Sequence, residues 1–419
     1  MWTGSAMWFY KNNQESRILK KLLMLGGSAA QLVAIRKAKE LGYFTVLCDY
    51  LPDNPGQYLA DRFYLVSTID KEAVLEVAQS EAVDGVIGYA SDPAALTVAY
   101  VAEQMKLPGN PYKSVDILCN KDKFRRFLGE NGFCTPRAEG YESVDSAIAG
   151  LKEFSYPVVV KPVDSSGSRG VDRIDGTEEA EEKLEYAMSF SRAGRIIIEE
   201  WVENYGYQIA GDGLSVDGKL VFRCFGNDHF SPEGVNRFVP VAATFPYHMP
   251  EPVQDKIHET IQRLLEKLHM KTCTYNFDMR IDNNYNVYLM EVAPRNGGNY
   301  IPEVIRYATG TDLAEYAVKA AAGDPFEIPH SMNINGCWAY YAVHSKREGI
   351  LDKIEILPEA ERYIVENHIV KRPGDHIQPF FGANTALGCL IMKFDSSEQM
   401  FEMIENADQW IKVRLREEQ

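Results

Sequence analysis

The sequence predicts a protein of three parts that combines α/β and α+β structure. Strand and helix patterns alternate over the first part, a middle region carries a lysine-bearing strand and a hairpin with two carboxylates, and strands and helices mix from Gly336 to the end. The 419 residues are more than one compact core usually holds, so several domains are expected.

The N-terminal region, residues 18–115, alternates short apolar runs with stretches of helical spacing. The predicted elements are strand Lys21–Leu25, a helix from Leu32 to Leu41 closed by Gly42, strand Thr45–Cys48, helix Lys71–Gln79, strand Gly85–Tyr89 and helix Pro93–Met105. Alternation of this kind implies a parallel sheet covered on both faces, which is a Rossmann-like domain.

The turn after the first strand is similar to a dinucleotide site only in part. Gly26-Gly27 is followed about twenty residues later by Asp49, but the glycines do not follow the pattern G-x-G-x-x-G. We favour an ordinary strand-to-helix turn over a nicotinamide or flavin site.

A lysine at the exit of an apolar strand marks the middle region. Lys161 lies near the end of the strand Tyr156–Pro162, between a basic helix, Lys121–Asn131, and a third strand, Arg195–Glu199. Burying an unpaired lysine is costly, so Lys161 must reach solvent or meet an anion. The Ser/Gly-rich loop that follows, residues 164–170, can present backbone N–H groups to phosphate oxygens, although no Gly-Lys-Ser/Thr sequence ends it.

A hairpin near residue 280 brings two acidic residues together. The strands Thr274–Asp282 and Tyr285–Val292 are predicted to flank a two-residue turn, because asparagine tolerates the positive φ angles of tight turns. Glu291 then lies on the same face as Asp278, as its diagonal neighbour. A divalent cation would relieve their repulsion, and oxygen ligands suit Mg²⁺ or Mn²⁺. The alternative is a pair of solvated surface acids.

These motifs occur in the order typical of ATP-grasp enzymes, and the chain resembles that superfamily from about residue 20 to the end. It is most similar to the branch that contains biotin carboxylase, purine-pathway ligases and amino-acid ligases. The resemblance implies an ATP-grasp domain over residues 116–330, with a mobile lid lobe over about 136–203, and a C-terminal α+β domain over residues 331–419. The motifs that carry it are Lys121, the strand with Lys161 and its Ser/Gly loop, the segment Glu199-Glu200-Trp201-Val202, and the run from Met290 to Gly298.

The resemblance also implies roles for individual residues at a nucleotide site. Lys121 and Lys161 would hold the ATP phosphates, one from each lobe. The lid over the phosphates would be the segment Ser165–Gly170, with Ser165, Ser166, Gly167 and Ser168 in contact with the nucleotide. Glu199 would accept a hydrogen bond from the adenine amino group, and the backbone at Val202 would complete adenine recognition. Gln208 stands where many relatives carry a ribose-binding glutamate.

By the same resemblance, Asp278 and Glu291 would bridge magnesium ions to the phosphates, and Arg295 would be catalytic by stabilising charge on an acyl phosphate. Relatives often read Glu-x-Asn-Pro-Arg, whereas this chain has Ala293 at the asparagine position. Asn296 or Asn299 would then replace that ligand, or the second metal ion would be held less tightly.

The composition limits which binding partners and which cellular compartment are expected. The formal charge of −16 disfavours binding to nucleic acid or an anionic membrane. Seven scattered cysteines without a C-x-x-C pair fit a reducing cytoplasm, and no apolar run of membrane-spanning length is present. Residues 1–17, rich in aromatic and polar residues, are interpreted as a loose N-terminal extension.

The resemblance therefore implies an ATP- and Mg²⁺-dependent, ADP-forming carboxylate–amine ligase. Alternatives are a carboxylase-like enzyme that uses bicarbonate and a nucleotide-binding regulator with a degraded site. The partners would be a small-molecule carboxylate and an amine, and the sequence leaves open whether the chain forms a homodimer. Candidates for pairing with a substrate anion are Arg223, Arg237 and Arg306.

Overall fold

The computed structural model describes residues 19–416, which form four β-sheets with helices packed on them. A parallel N-terminal sheet followed by antiparallel sheets confirms the predicted α/β and α+β class. The predicted loose extension, residues 1–17, lies outside the described residues. Among the helices of residues 19–416, none is long and apolar enough to span a membrane.

The N-terminal region alternates strands and helices, as predicted. Its elements are β1 (Lys21–Leu25), α1 (Leu32–Glu40), β2 (Phe44–Asp49), β3 (Arg62–Leu65), α2 (Lys71–Glu81), β4 (Gly85–Ile87) and α3 (Asp92–Met105). The four strands form a parallel sheet in the order β3-β2-β1-β4. Strand β3 was not predicted, because it is a short edge strand in which no residue is fully buried and no apolar run reveals it.

A second, smaller sheet forms the lobe that carries Lys161. The elements that lead into it and build it are α4 (Tyr112–Cys119), α5 (Lys121–Glu130), β5 (Ala138–Tyr141), α6 (Val144–Gly150), β6 (Val158–Pro162), β7 (Asp172–Ile174), α7 (Ala180–Ser189) and β8 (Ile196–Glu200). The sheet is antiparallel in the order β5-β8-β6-β7. Its core is formed by apolar side chains from α6 and α7 packed against those of β6 and β8.

An eight-stranded antiparallel sheet occupies the centre of the molecule. Its first part is formed by β9 (Gln208–Val216), β10 (Lys219–Phe230), β11 (Pro240–Phe245), α8 (Glu251–Lys267), β12 (Cys273–Ile281), β13 (Val287–Ala293) and α9 (Ile301–Thr309). Apolar residues of α8 pack on one face of the sheet and those of α9 on part of the other. The rest of that second face is left free for polar side chains.

The C-terminal region is continuous with the central sheet. Its elements are α10 (Leu313–Ala322), β14 (Cys337–Val343), β15 (Gly349–Ile356), α11 (Pro358–Glu361), β16 (Ile364–Asn367), β17 (His376–Ile377), β18 (Gly388–Phe394), α12 (Ser397–Glu405), α13 (Ala407–Trp410) and β19 (Ile411–Leu415). The central sheet runs β13-β12-β9-β10-β11-β14-β18-β16, and β17-β15-β19 form a separate sheet. Helix α10 returns to the N-terminal sheet, where Gly85 has no side chain to clash with the carbonyl of Ala321.

The predicted register of the β12–β13 hairpin is wrong, although both carboxylates share a face. The connection is one residue longer than predicted, since Asp282 N–H donates to Asn286 O and the positive φ belongs to Tyr285 rather than to an asparagine. That change alone would place Met290 opposite Asp278. A β-bulge between Asp278 and Met279 restores the alternation, so Glu291 lies directly opposite Asp278 instead of diagonally.

Candidate active site

The free face of the central sheet carries polar side chains in three successive rows. Strand residues two apart point to the same face, about 6.5–7 Å from each other. The register therefore aligns the rows across neighbouring strands. The first row holds Asn276 and Asp212, the second Asp278 and Glu291, and the third Arg280, Gln208 and Asp228.

A cleft of about 880 Å³ lies between the second and third rows and the smaller lobe. It brings together nearly all the side chains predicted to contact a nucleotide or a metal ion, which the sequence scatters over more than 150 positions. The predicted residues on its wall are Lys121, Lys161, Ser165, Ser166, Gly167, Ser168, Glu199, Val202, Gln208, Asp278 and Glu291.

The two carboxylates of the second row have the properties of a cation site. Asp278 Oδ1 is buried and has no hydrogen-bond partner among the described residues. Burial, and then the charge of Glu291, raise the pKa of Asp278 to about 6. Burial opposes ionisation of Glu291 as well, but Lys121 and Arg295 outweigh it and lower its pKa. An all-oxygen pair with one unsatisfied buried oxygen fits Mg²⁺, whose remaining ligands would be phosphate oxygens and water.

Neither asparagine proposed as a substitute for Ala293 lines the cleft in the described part of the chain. Asn296 is buried and its Oδ1 accepts a hydrogen bond from Thr274 Oγ1 at 2.8 Å. Asn299 has a φ of +52° in the loop that leads to α9. Within residues 19–416, no group of three or more His, Cys, Asp or Glu side chains could hold a metal ion, so the site provides two carboxylates and no third.

Lys161 is held in place by a buried carboxylate. Its Nζ donates to Glu199 Oε2 at 2.7 Å, and Arg125 Nε lies 2.9 Å from Glu199 Oε1. Burial alone would raise the pKa of Glu199, but Arg125 and then Lys161 lower it to about 2. Burial, with the charges of Arg125 and Lys121, lowers the pKa of Lys161 although Glu199 opposes this. The ammonium group of Lys161 therefore donates one hydrogen bond to Glu199 Oε2, and its other N–H groups can donate to an anion in the cleft.

Arg125 was not among the predicted site residues. It follows Lys121 by one helical turn on α5, and this i, i+4 spacing was the available signal. Its terminal nitrogens donate to the carbonyls of Leu289 and Met290, so it ties α5 to the strand that bears Glu291.

The Ser/Gly loop closes over the cleft. Lys121 Nζ donates to the carbonyl of Ser165 at 2.8 Å and lies 3.3 Å from Glu291 Oε2. Ser168 has a φ of +57° and is held from both sides: its hydroxyl donates to Phe238 O, and its carbonyl accepts from Asn236 Nδ2. The loop therefore contacts the connection between β10 and β11 on the opposite wall.

Arg280, which was also not predicted, contacts the segment that follows β8. Its Nη1 donates to the carbonyl of Val202 at 3.0 Å, and its Nε donates to Gln208 Oε1 at 2.8 Å. The guanidinium lies 4.6 Å from the ring centre of Trp201, a cation–π contact. Gln208 is therefore already bound to protein atoms, and its Nε2 is 3.5 Å from Asp228 Oδ2.

Arg295 lies at the first row rather than on the wall of the large cleft. Its Nε donates to Asp92 of the N-terminal region at 2.7 Å, and its Nη1 donates to Asn276 Oδ1 and to the carbonyl of Asn296. Burial disfavours its charge, but Asp92 and Glu291 outweigh that and raise its pKa. Arg295 is thus close enough to the second row for the charge of Glu291 to stabilise its guanidinium.

Of the three arginines suggested for a substrate anion, only Arg237 lines the cleft; it is exposed, with no hydrogen bond or ion pair to the described residues. The suggestion of Arg223 is wrong, because its buried guanidinium pairs with Glu251 and Asp255 on α8. Arg306 lies 3.9 Å from Glu366 and outside the cleft.

Family models match two parts of the chain. Residues 154–303 match a model described as ATP-grasp domain. This part of the chain is therefore an ATP-grasp domain, as the order of its motifs predicted. Residues 342–416 match a second model, described as L-amino acid ligase C-terminal domain 2.

Curated relatives and solved structures are similar to the chain at low identity. The C-terminal section of the carbamoyl phosphate synthase large chain of Aquifex aeolicus is 27% identical over 294 residues, or 69% of this chain and 53% of that protein. The large chain of Thermotoga petrophila is 25% identical over 76% of this chain but only 28% of its own length. This chain thus spans about half, or less, of these relatives.

Among solved structures, an L-amino acid ligase from Bacillus licheniformis superposes with a TM-score of 0.79 at 22% identity, over 95% of this chain and 99% of that one. Phosphoribosylglycinamide synthetase from Anaerococcus prevotii has a TM-score of 0.73 at 21% identity, over 95% and 100% of the two chains. At these identities the structures establish a shared fold.

Proposed function

We propose that this chain is an ATP- and Mg²⁺-dependent ligase that activates a carboxylate as an acyl phosphate and joins it to an amine. The observation that carries the proposal is the convergence of Lys121, Lys161 and the facing carboxylates Asp278 and Glu291 on one cleft. Two cations and a metal-binding pair at one place suit a chain of phosphates.

The order of the rows supports one orientation of the nucleotide in the cleft. Arg280 fixes the carbonyl of Val202, so the adenine lies at the end of the cleft beside the third row. The phosphates then extend past the second row towards Arg295 at the first. Asp278 and Glu291 would hold Mg²⁺, which when bound neutralises phosphate charge. This direction places the terminal phosphate nearest Arg295, the predicted catalytic cation.

In the first step a substrate carboxylate oxygen attacks the γ-phosphorus, the bond to the β,γ-bridging oxygen breaks, and ADP leaves. In the second step an amine attacks the acyl carbon, inorganic phosphate leaves, and the amine loses a proton as the amide forms. Arg295 stabilises negative charge on the acyl phosphate and on the tetrahedral species that follows it. Lys121 and Lys161 hold the phosphates while the loop over residues 165–170 excludes water.

The products test this proposal. A panel of amino acids, other carboxylates and amines is to be screened by phosphate release; amino acids come first because residues 342–416 match the L-amino acid ligase model. With an active pair, we expect ADP and phosphate, and hydroxylamine should convert the acyl phosphate into a hydroxamate. AMP and pyrophosphate from the active pair would show that the carboxylate is adenylated instead, and would overturn the proposal.

Glu291→Gln is expected to raise the Mg²⁺ concentration needed for half-maximal activity about tenfold and to lower the maximal rate. The variant keeps the size of the side chain but removes one of two charges that hold the cation, and a metal contributes several kcal/mol to phosphoryl transfer. Mg²⁺ titration of initial rates measures this. Glu405→Gln is the control, since Glu405 lines the same cleft from α12. An unchanged Mg²⁺ requirement in Glu291→Gln would contradict a shared cation site.

A further inference from the structure

Asn236 joins three segments that are distant in the sequence. It lies in the connection between β10 and β11, beside the Ser/Gly loop and beside the segment 378–387 between β17 and β18, which we call the C-terminal loop. Its Oδ1 accepts a hydrogen bond from Phe238 N at 3.0 Å, within its own connection. Its Nδ2 donates to Ser168 O of the Ser/Gly loop at 3.0 Å and to Phe381 O of the C-terminal loop at 2.9 Å. The amide group thus uses its acceptor and both of its donors, each for a different segment.

The C-terminal loop is itself fixed to the central sheet. Phe380 is buried and packs with Val239 and Val241, where β11 begins. The turn that follows is held by Thr385, whose Oγ1 accepts a hydrogen bond from Phe381 N at 3.1 Å. The carbonyl that accepts from Asn236 therefore belongs to an anchored segment, while Ser168 belongs to the loop that covers the cleft.

Gly382 brings the C-terminal loop directly against the Ser/Gly loop. A Cβ at this buried position would lie 3.0 Å from Asn384 Oδ1, 3.3 Å from Gly167 O and 3.5 Å from Arg169 Cγ. The φ of Gly382 is −169°, which any residue can adopt. Close packing, and not the backbone conformation, therefore favours glycine at this place. The Ser/Gly loop meets the C-terminal loop here and, through Asn236, at a second point.

We propose that Asn236 is a positioning residue that keeps the Ser/Gly loop closed over the bound nucleotide by joining it to the C-terminal loop. The proposal rests on the proposed function, in that the nucleotide is ATP or ADP. The bond from Asn236 to Ser168 exists only while the Ser/Gly loop is closed, so it lowers the population of the open state through which nucleotide leaves. The region that matches the L-amino acid ligase model thereby takes part in retaining the nucleotide.

The test measures how fast ADP leaves the protein in the presence of Mg²⁺, by chasing radiolabelled ADP with excess unlabelled ADP. Asn236→Asp keeps the acceptor for Phe238 N but replaces the donor by an oxygen that repels two carbonyls. ADP should leave this variant about threefold to tenfold faster, as expected for the loss of one or two neutral hydrogen bonds, while its association rate constant does not fall. If Asn236 only shapes the turn before Phe238, the dissociation rate will not change.

Gly382→Leu tests the same contact from the side of the C-terminal loop and leaves Asn236 intact. The larger side chain has no room beside Gly167, so it should displace the Ser/Gly loop and speed ADP release by a similar factor. Gly176→Leu is the matched control. Gly176 lies in the smaller lobe, has an extended backbone with a φ of −164°, and a Cβ there would meet nothing within 4 Å. It should release ADP at the wild-type rate.

A folded Asn236→Asp protein that releases ADP at the wild-type rate would overturn the proposal. If that variant does not fold, a wild-type rate in Gly382→Leu would overturn it instead. In both cases ADP still binds and the proposed function stands. Wild-type protein that binds neither ATP nor ADP with Mg²⁺ present would overturn the proposed function, and the role of Asn236 with it.

Discussion

Lys161→Ala is expected to weaken ATP binding about tenfold to hundredfold and to reduce turnover at least about a thousandfold. The ammonium group lines the cleft on the side of the smaller lobe, and the Lys161 side chain is only 14% exposed. A charge-assisted hydrogen bond to phosphate contributes roughly 1.5–3 kcal/mol, and positioning of the transferring group adds to the loss in rate. Calorimetry measures the first effect and steady-state kinetics the second.

The variant should remain folded, because Glu199 keeps Arg125 as a partner when Lys161 is removed. The midpoint of thermal unfolding checks this. Lys183→Ala is the matched control: Lys183 lies in the same lobe, pairs with Asp172 and Glu179, and does not line the cleft. It should leave both ATP affinity and rate near wild type. Wild-type ATP affinity in a folded Lys161→Ala protein would show that Lys161 does not bind phosphate.

Elements with a strong local signal could be predicted from the sequence. Strand β1 is an apolar run and α1 has helical spacing, so each shows its burial in its own residues. Strand β3 lies at an exposed edge and carries no such signal. The hairpin lies between these cases. Its two strands were evident, but the longer turn and the compensating bulge depend on tertiary packing, and they changed the pairing of Asp278 without separating it from Glu291.

Site residues that belong to a sequence motif could be predicted. Those that are brought together only by contacts between distant strands could not. Lys161 and Glu291 belong to segments whose order along the chain is typical of the superfamily. Arg280 and Asp228 belong to no such motif; the register of the strands brings both beside Gln208. Arg295 was expected beside the terminal phosphate, but its contact with Asp92 could not be inferred because nothing in the sequence pairs α3 with the loop after β13.

Arg295→Ala is expected to lower kcat about a hundredfold to a thousandfold while changing the dissociation constant of ATP less than about threefold. The guanidinium is outside the cleft wall, so it contributes little to the bound nucleotide, and the negative charge that it stabilises develops only as the carboxylate reacts. Removal of one fixed donor to such a charge typically costs about 2.7–4 kcal/mol. Initial rates at saturating ATP, with ADP as the measured product, determine kcat.

The ion pair with Asp92 offers a second explanation, in which Arg295 merely joins the N-terminal region to the central sheet. Asp92→Asn separates the two, because it weakens that ion pair but leaves the bonds from Arg295 to Asn276 and to the carbonyl of Asn296. If Arg295 stabilises the reacting group, Asp92→Asn should keep kcat within about fivefold of wild type, and Arg295→Lys should recover part of the rate. If Arg295 only ties the two regions, Asp92→Asn and Arg295→Ala will lose activity equally. That result would show that Arg295 has a structural role only, and that another residue supplies the catalytic positive charge.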